Sequence, residues 1–244
     1  MIPRILALGD GALTLELGDG IAPAINAQVM AARDALVALQ LDGVTDVVPT
    51  YRSLTVHFDP LRLPHEMLEA QLLVAARAPA KATAAASRWL IPAVFGTQAG
   101  REFGPDLAAV ARTTGRHEEL VIEALCAADL RVFLIGFLPG FPYLGELPEW
   151  LRLPRLATPR TVVPANSVAI AGAQAAIYPW QSPGGWHLLG RTPVRLFDLE
   201  NPARPAFFAP GDAVRFAAVD AVEFDRLAAA VAVGEIGREH FRAS

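Results

Sequence analysis

In the first third of the chain, apolar residues recur first with the period of a strand and then with that of a helix. Residues 13–17 alternate leucine with polar residues, which predicts a half-buried strand. Residues 25–36 carry apolar side chains at helical spacing, and Gly43 ends that pattern. A short apolar run predicts a second strand over residues 44–48.

The next residues continue this order of strands and helices. Residues 53–58 place apolar side chains at the even positions, and Pro64 opens a helix with Leu68 and Leu72 on one face. With residues 89–94 as a last strand, the order is that of a ferredoxin-like split βαβ unit. We therefore expect an α+β protein that begins with a ferredoxin-like domain.

A stretch of small residues separates this part from the rest. Residues 78–87 are nearly featureless, which predicts a linker. We place a ferredoxin-like α/β domain at residues 1–80 and a second domain at residues 88–244, with a helical insertion near residues 105–128. The insertion holds two helical patterns, residues 105–114 and 117–128, on either side of Gly115.

Proline determines the character of the second domain, since 12 of the 20 prolines lie between Pro139 and Pro210. Proline is excluded from helix interiors and central strands, so we expect short strands joined by loops of defined conformation. A β-barrel is the architecture that best accommodates such strands. A closing helix follows Asp220. The predicted strands are residues 132–137, 167–170, 175–178, 187–190, 194–197 and 213–216.

Charge and composition exclude several classes of function. A net charge of −4 and a pI near 5.7 give no electrostatic reason to bind nucleic acid or an anionic membrane. No apolar run reaches the length of a membrane span, and no signal peptide is evident, so a soluble cytoplasmic protein is expected. The lone Cys126 lies on an apolar helix face, and no metal or organic cofactor is indicated in this chain.

The candidate chemistry lies in loops rich in proline and glycine. Between Trp150 and Phe197 the chain has no Asp or Glu but several arginines, so a locally positive stretch is expected in an acidic protein. Such loops hold a backbone close to a ligand while an aromatic ring or a guanidinium is aimed at it. The ligand expected from these side chains is a small anionic or amide-bearing substrate.

Three groups of side chains form the candidate substrate site. Arginines suit a carboxylate or phosphate, aromatic residues wall an apolar pocket, and hydroxyl or amide groups orient an amide. The arginines are Arg155, Arg160 and Arg191; the aromatic residues are Phe137, Phe141, Tyr143 and Trp186; the polar groups are Gln174, Tyr178 and Ser182. No complete set of nucleophile and base is evident, so no catalytic residue is assigned.

Long ordered motifs in this part resemble a known family. The stretch from residue 136 to 198, with GFLPGFPYL, VPANSVAIAG and IYPWQSPGGWHLLGRTP, is similar to the allophanate hydrolase subunit 1 family, also described as subdomains C and D of a carboxyltransferase domain. The resemblance extends to residues 9–13, 51–54, 59–60 and 103–107, and it implies a ferredoxin-like part followed by a cyclophilin-like β-barrel. The family pattern has Gly where Asn166 stands, and Asn tolerates the left-handed turn this implies. It has His and Tyr where Leu125 and Leu130 stand.

The resemblance also implies partners and an activity. It implies the B component of an ATP-dependent 5-oxoprolinase, which acts with the A and C subunits to convert 5-oxo-L-proline to L-glutamate and is inactive alone. ATP is then used by the complex. Two alternatives stay open within the family: a regulatory protein that inhibits a sensor histidine kinase, and the carboxyltransferase half of a biotin-dependent urea carboxylase or allophanate system.

Overall fold

A computed structural model of the chain describes residues 3–80 and 87–243. The chain divides into two compact units, Met1–Ala84 and Ala85–Ser244. Most of the predicted linker, residues 78–87, falls on residues 81–86, outside the described residues.

The first unit is a sheet with two helices. Its strands follow the order β1-β2-β4-β3, and every neighbouring pair is antiparallel. The predicted alternation holds in β4, where Leu54, Val56 and Phe58 are buried and pack with apolar residues of both helices. The elements are β1 (Arg4–Ala7), β2 (Ala12–Glu16), α1 (Pro23–Ala38), β3 (Val44–Pro49), β4 (Ser53–Phe58) and α2 (His65–Ala75).

Residues 89–94 do not supply the last strand that a ferredoxin-like unit would need in this sheet. These residues form a strand, as predicted, but the strand belongs to the second unit. The sheet edge beside β2 is occupied instead by β1, which sequence analysis did not predict. The Leu8 N–H donates to the Ala12 carbonyl at 2.9 Å, so a tight turn folds the N-terminal strand back onto its neighbour.

The second unit is built on a closed barrel. Within residues 87–243, seven strands close in the order β11-β12-β9-β8-β15-β5-β14. The first and last of them in the chain, β5 and β15, pair in parallel from Arg88↔Ala213 to Ala93↔Ala218. The barrel strands are β5 (Arg88–Phe95), β8 (Leu130–Ile135), β9 (Pro142–Gly145), β11 (Ser167–Ala171), β12 (Gln174–Ile177), β14 (His187–Arg191) and β15 (Ala213–Ala218).

Four short strands lie outside the barrel. β6 (Thr97–Gln98) pairs with β7 (Arg101–Glu102), and β10 (Arg160–Val163) pairs with β13 (Ser182–Gly184). The second pair joins two of the loops that sequence analysis singled out. It therefore fixes the spacing between the segment after residue 159 and the Pro-Gly-Gly-Trp turn.

Helices flank the barrel as the sequence predicts. They are α3 (Leu107–Thr114), α4 (Glu118–Ala127) and α5 (Ala221–Ala232), with short 3₁₀ helices at Glu149–Leu151 and Arg238–Phe241. Helix α3 ends at Gly115 in the left-handed conformation, and the Asp220 carboxylate caps α5 by accepting from the Glu223 N–H at 2.8 Å.

Two segments of the barrel unit differ from expectation: β5 contains a proline, and residues 194–197 form no strand. Pro92 lies inside β5, where its missing N–H is tolerated because β14 pairs only with Val94 and Phe95 of that strand. Residues 194–197 are buried in alternation but form no strand. The Val194 N–H donates to Thr192 Oγ1 at 3.2 Å, and the segment pairs with residues 205–207 through a single bridge, Phe197↔Ala206.

The barrel core is apolar, and two departures from the family pattern fall inside it. Leu125 and Leu130 are both fully buried among the core side chains. The leucines therefore serve packing in this chain. Among the described residues, no helix is long and apolar enough to cross a membrane.

A buried carboxylate links the first and last strands of the barrel, β5 and β15. Asp212, immediately before β15, is fully buried, and its Oδ2 accepts from the Trp89 indole at 2.8 Å and from the Ala209 N–H at 2.9 Å. Trp89 lies on β5 and is also buried. The interaction thus reinforces the closure of the barrel.

Replacing this carboxylate should destabilise the second unit. Asp212→Ala leaves the buried Trp89 indole N–H and the half-buried Ala209 N–H without an acceptor, and we expect a loss of about 3 kcal/mol in the free energy of unfolding. All four tryptophans belong to this unit, so urea unfolding followed by tryptophan fluorescence measures it. As a control, Asp225→Ala removes only the exposed partner of Arg101 and should change little. Equal midpoints for the two variants would contradict the assigned role of Asp212.

Candidate ligand-binding site

Loops at one part of the barrel enclose an aromatic cavity of about 270 Å³. Four segments supply its walls: the loop between β8 and β9 with the start of β9, the loop before β10, the residue that follows β12, and the turn through β13 into β14. Its lining residues are Phe137, Phe141, Tyr143, Arg155, Pro159, Tyr178, Pro183, Gly184, Gly185 and Trp186. We refer to it as the aromatic pocket.

Phe141 lies at the centre of the aromatic packing. Its ring is 4.9 Å from that of Tyr143, 5.1 Å from Tyr178, 5.4 Å from Phe137 and 6.2 Å from Trp186, measured between centroids. Most of these contacts are edge-to-face, the arrangement that the ring quadrupole favours. Phe141, Tyr178 and Trp186 are buried, so they form a rigid floor and wall.

Phe137 differs from the other aromatic residues in exposure and in backbone conformation. Its side chain is 60% exposed, and its φ of +70° places a bulky residue in the left-handed region. Such a conformation costs free energy and persists only where the surroundings impose it. Here the Trp180 indole donates to the Pro139 carbonyl at 3.0 Å, which fastens the same loop to the neighbouring one. The exposed ring therefore stands at the rim of the pocket.

Arg155 is the cation of the pocket. It is exposed, and its guanidinium lies 5.8 Å from the Trp186 ring centroid, so the indole face holds it beside the cavity. Burial raises the pKa of Tyr178 to about 12, against the opposing effect of the Arg155 charge. The Tyr178 phenol is therefore protonated at neutral pH and can donate a hydrogen bond to a ligand oxygen. Burial also raises the pKa of Tyr143.

The other predicted arginines are engaged elsewhere. Arg160 donates to Asp106 Oδ1 at 2.5 Å, and the second oxygen of Asp106 accepts from the Leu188 N–H at 2.7 Å. Arg191 donates to the Ala165 carbonyl at 3.0 Å, while burial and the nearby Arg101 lower its pKa. Neither arginine lines the aromatic pocket.

The structure thus brings together part of the predicted site. Six predicted residues line the pocket: Phe137, Phe141, Tyr143, Arg155, Tyr178 and Trp186. Gln174 lies at the start of β12, paired with Gly145, and Ser182 is buried on β13 with no hydrogen-bond partner for its hydroxyl among the described residues. These two, like Arg160 and Arg191, do not line the cavity, and a role for them in binding stays a prediction.

Sequence reasoning missed Asp106. Its carboxylate joins the start of α3 to β14 and compensates the Arg160 charge, although 54 residues separate the two partners. The residue belongs to the Phe-Gly-Pro-Asp-Leu motif at 103–107, whose close packing is visible at Gly104. A Cβ there would lie 1.8 Å from the Leu189 carbonyl oxygen, so only glycine fits. The motif at residues 103–107 is therefore the feature of the sequence that could have identified Asp106.

The structure also bears on the expectations for Asn166 and Cys126. Asn166 has a φ of +63°, so the left-handed turn expected at this position is confirmed. Burial raises the pKa of the Cys126 thiol, which is typical of an unreactive cysteine. Within the described part of the chain, no group of three His, Cys, Asp or Glu side chains could hold a metal ion.

Residues 3–208 match the family described as "Carboxyltransferase domain, subdomain C and D". The chain belongs to this family. Two curated relatives are each named as the B subunit of 5-oxoprolinase. The protein from Escherichia coli O157:H7 is 39% identical over 218 residues, 87% of this chain and 94% of its own length. The protein from Bacillus subtilis (strain 168) is 33% identical over 233 residues, 91% of this chain and 95% of its own length.

Two solved structures share the fold of this chain. The crystal structure of TTHA0988 is 37% identical with a TM-score of 0.73, and the match covers 86% of this chain but only 40% of that longer chain. The urea amidolyase of K. lactis matches 93% of this chain with a TM-score of 0.77, covering 15% of its own length. At 18% identity, that likeness shows the fold alone.

A methyl group at Gly184 should disrupt the aromatic pocket. A Cβ there would lie 2.4 Å from the Tyr178 hydroxyl oxygen, so Gly184→Ala must displace the buried phenol ring. We expect a loss of about 1–3 kcal/mol in stability and a weaker near-ultraviolet circular dichroism signal. Gly185→Ala is the matched control, since its nearest contact would be an ordinary 3.5 Å. An unchanged aromatic signal in Gly184→Ala would contradict the packing described here.

Proposed function

We propose that this chain is the B subunit of a 5-oxoprolinase, which converts 5-oxo-L-proline to L-glutamate with ATP and also requires A and C subunits. The observation that carries the proposal is the length of the match. Curated relatives of that name align over 94% and 95% of their own length, so the resemblance extends over a whole polypeptide rather than a shared module.

The aromatic pocket supports this proposal because it suits a small ring that carries a carboxylate and an amide. The faces of Phe141 and Trp186 provide apolar walls for the ring. Arg155 provides a cation for the carboxylate, and the protonated Tyr178 hydroxyl provides a donor for the lactam carbonyl. A site of this kind would also stabilise negative charge that develops on the amide oxygen during hydrolysis.

The composition of the pocket supports a role in a complex. The ten residues that the structure places around the cavity include arginine, tyrosine and apolar side chains, but no carboxylate, imidazole or thiol. Such a pocket binds and orients a substrate without a general base or nucleophile. We infer that partner subunits complete the reaction, that the isolated chain is inactive, and that ATP serves the complex by activating the lactam for attack by water.

The fold family of each unit and the cellular location of the protein belong to the same proposal. We infer a cyclophilin-like barrel and a variant of the ferredoxin-like fold, in which the N-terminal β1 takes the edge position usually held by the last strand. The working environment would be the cytoplasm. Inhibition of a sensor kinase rests on family membership, and urea carboxylation rests on likeness of fold, so no observation favours either over the oxoprolinase.

Omission from a reconstituted complex tests the role of this chain. ATP-dependent release of glutamate from 5-oxoproline should occur when this chain is combined with the A and C subunits, and it should disappear when this chain is left out. Undiminished activity without this chain would overturn the proposal. Inhibition by avidin would instead indicate a biotin-dependent carboxyltransferase.

A single substitution tests the pocket within the active complex. Arg155→Ala removes the cation beside Trp186 and should raise the KM for 5-oxoproline about 10-fold to 100-fold, the effect of losing one charged hydrogen bond. Arg116→Ala is the matched control, because Arg116 also lies over a tryptophan, Trp150, at 5.4 Å but outside the pocket. Equal KM values for the two variants would rule out the carboxylate contact at Arg155.

A further inference from the structure

A second cavity in the barrel unit has no part in the proposed function. It measures about 360 Å³ and lies between residues 194–207 and the C-terminal segment that contains the end of α5 and the last 3₁₀ helix. The C-terminal wall follows residue 208, where the family match ends. None of its lining residues belongs to the aromatic pocket. We refer to it as the arginine cavity.

The walls of the arginine cavity combine apolar and cationic groups. Phe207, Phe241 and Ile236 supply apolar surface, and Arg204 and Arg238 supply guanidinium groups. Its volume falls in the range of about 300 to 1,000 Å³ that is typical of small-molecule sites, although its lining is more polar than the mostly apolar lining of such sites.

The positive charge of this cavity is only partly compensated. Arg195 pairs with Asp198 at 3.4 Å. Arg204 and Arg238 have no carboxylate oxygen within 4.0 Å among residues 3–80 and 87–243. Glu200 also lines the cavity, so the lining holds three guanidinium groups and two carboxylates, while Asp212 and Glu239 act on Arg238 from outside the lining.

Two aromatic rings, rather than a carboxylate, hold the guanidinium of Arg238. Its guanidinium lies 4.9 Å from the Trp89 ring centroid and 5.0 Å from that of Phe207, and one nitrogen donates to the Ala206 carbonyl at 3.2 Å. Its Nε and Nη2 are buried and have no hydrogen-bond partner in the described part of the chain. Burial, followed by the nearby Arg204, lowers the pKa of Arg238 to about 10, against the opposing effect of the Asp212 and Glu239 carboxylates. Two like charges therefore lie close together, and a ligand reaches the two unused donors of Arg238 only if this side chain shifts from its buried position.

We propose that the arginine cavity binds a phosphorylated small molecule, with the phosphate between Arg204 and Arg238 and the organic part against the apolar wall. A phosphate dianion compensates two guanidinium groups at once and matches their planar donors. A carboxylate would supply half that charge. The site would be separate from the aromatic pocket, so this chain would hold two ligands of different chemistry.

Calorimetric titration of the purified chain tests this site. The probes are ATP, inorganic phosphate and, as the unphosphorylated counterpart, adenosine. We expect saturable binding of ATP, weaker binding of inorganic phosphate and none of adenosine. Because Arg204 is exposed, Arg204→Ala should fold normally and raise the Kd for ATP about 10-fold or more.

Two further variants complete the test. Arg238→Gln should weaken ATP binding to a similar degree, whereas Arg112→Ala, an exposed arginine on α3, should leave the Kd unchanged. The proposal is overturned if ATP does not bind, if adenosine binds as well as ATP, or if Arg204→Ala binds ATP like the Arg112→Ala control. The assay needs neither partner subunits nor turnover, so its outcome is independent of the oxoprolinase assignment.

Discussion

The pairing of β5 with β15 is the constraint on which the second unit depends. It joins the first and last strands of the barrel over six residue pairs, and without it the remaining strands would form an open sheet with two exposed edges. The buried Asp212 reinforces the pairing by accepting from the Trp89 indole. Trp89 in turn contacts the C-terminal segment through Arg238 and Arg242. Both cavities therefore rest on walls that exist only when the barrel is closed.

The aromatic pocket follows from packing outside the barrel interior. Phe141, Tyr178 and Trp186 form a small apolar cluster with residues of β11 and β12, separate from the main core. The glycine at 184 lets the Tyr178 hydroxyl approach the backbone, and the strained Phe137 keeps an exposed ring at the rim. The result is a rigid apolar wall that ends in one cation, Arg155. This arrangement favours binding and orientation, and it leaves the chemical step to groups from partner proteins.

Local patterns predicted much of the fold but few of its long-range partners. The alternation in β4 and the glycine stop after α3 identified those elements, because each depends on neighbouring residues. Strand β1 is largely exposed and carries no alternation, so nothing in its four residues signals a strand. The strand at residues 89–94 was recognised, but its partner lies about 125 residues later and sequence periodicity carries no information about it. The candidate site shows the same dependence on sequence distance. The aromatic residues of the pocket loops were predicted as one group, whereas the pairing of Asp106 with Arg160, 54 residues apart, was not.

The distance in sequence between β5 and β15 also governs how the protein is made. Ala213 must be available before Arg88 can find its partner, so the barrel cannot close until nearly the whole chain has left the ribosome. The first unit completes its sheet within the first 58 residues and is free to fold long before. Pairings of such high contact order form slowly. During synthesis β5 and β8 therefore lack the strand between them until β15 emerges, and a truncated product that ends before residue 213 would leave both of these edges unpaired.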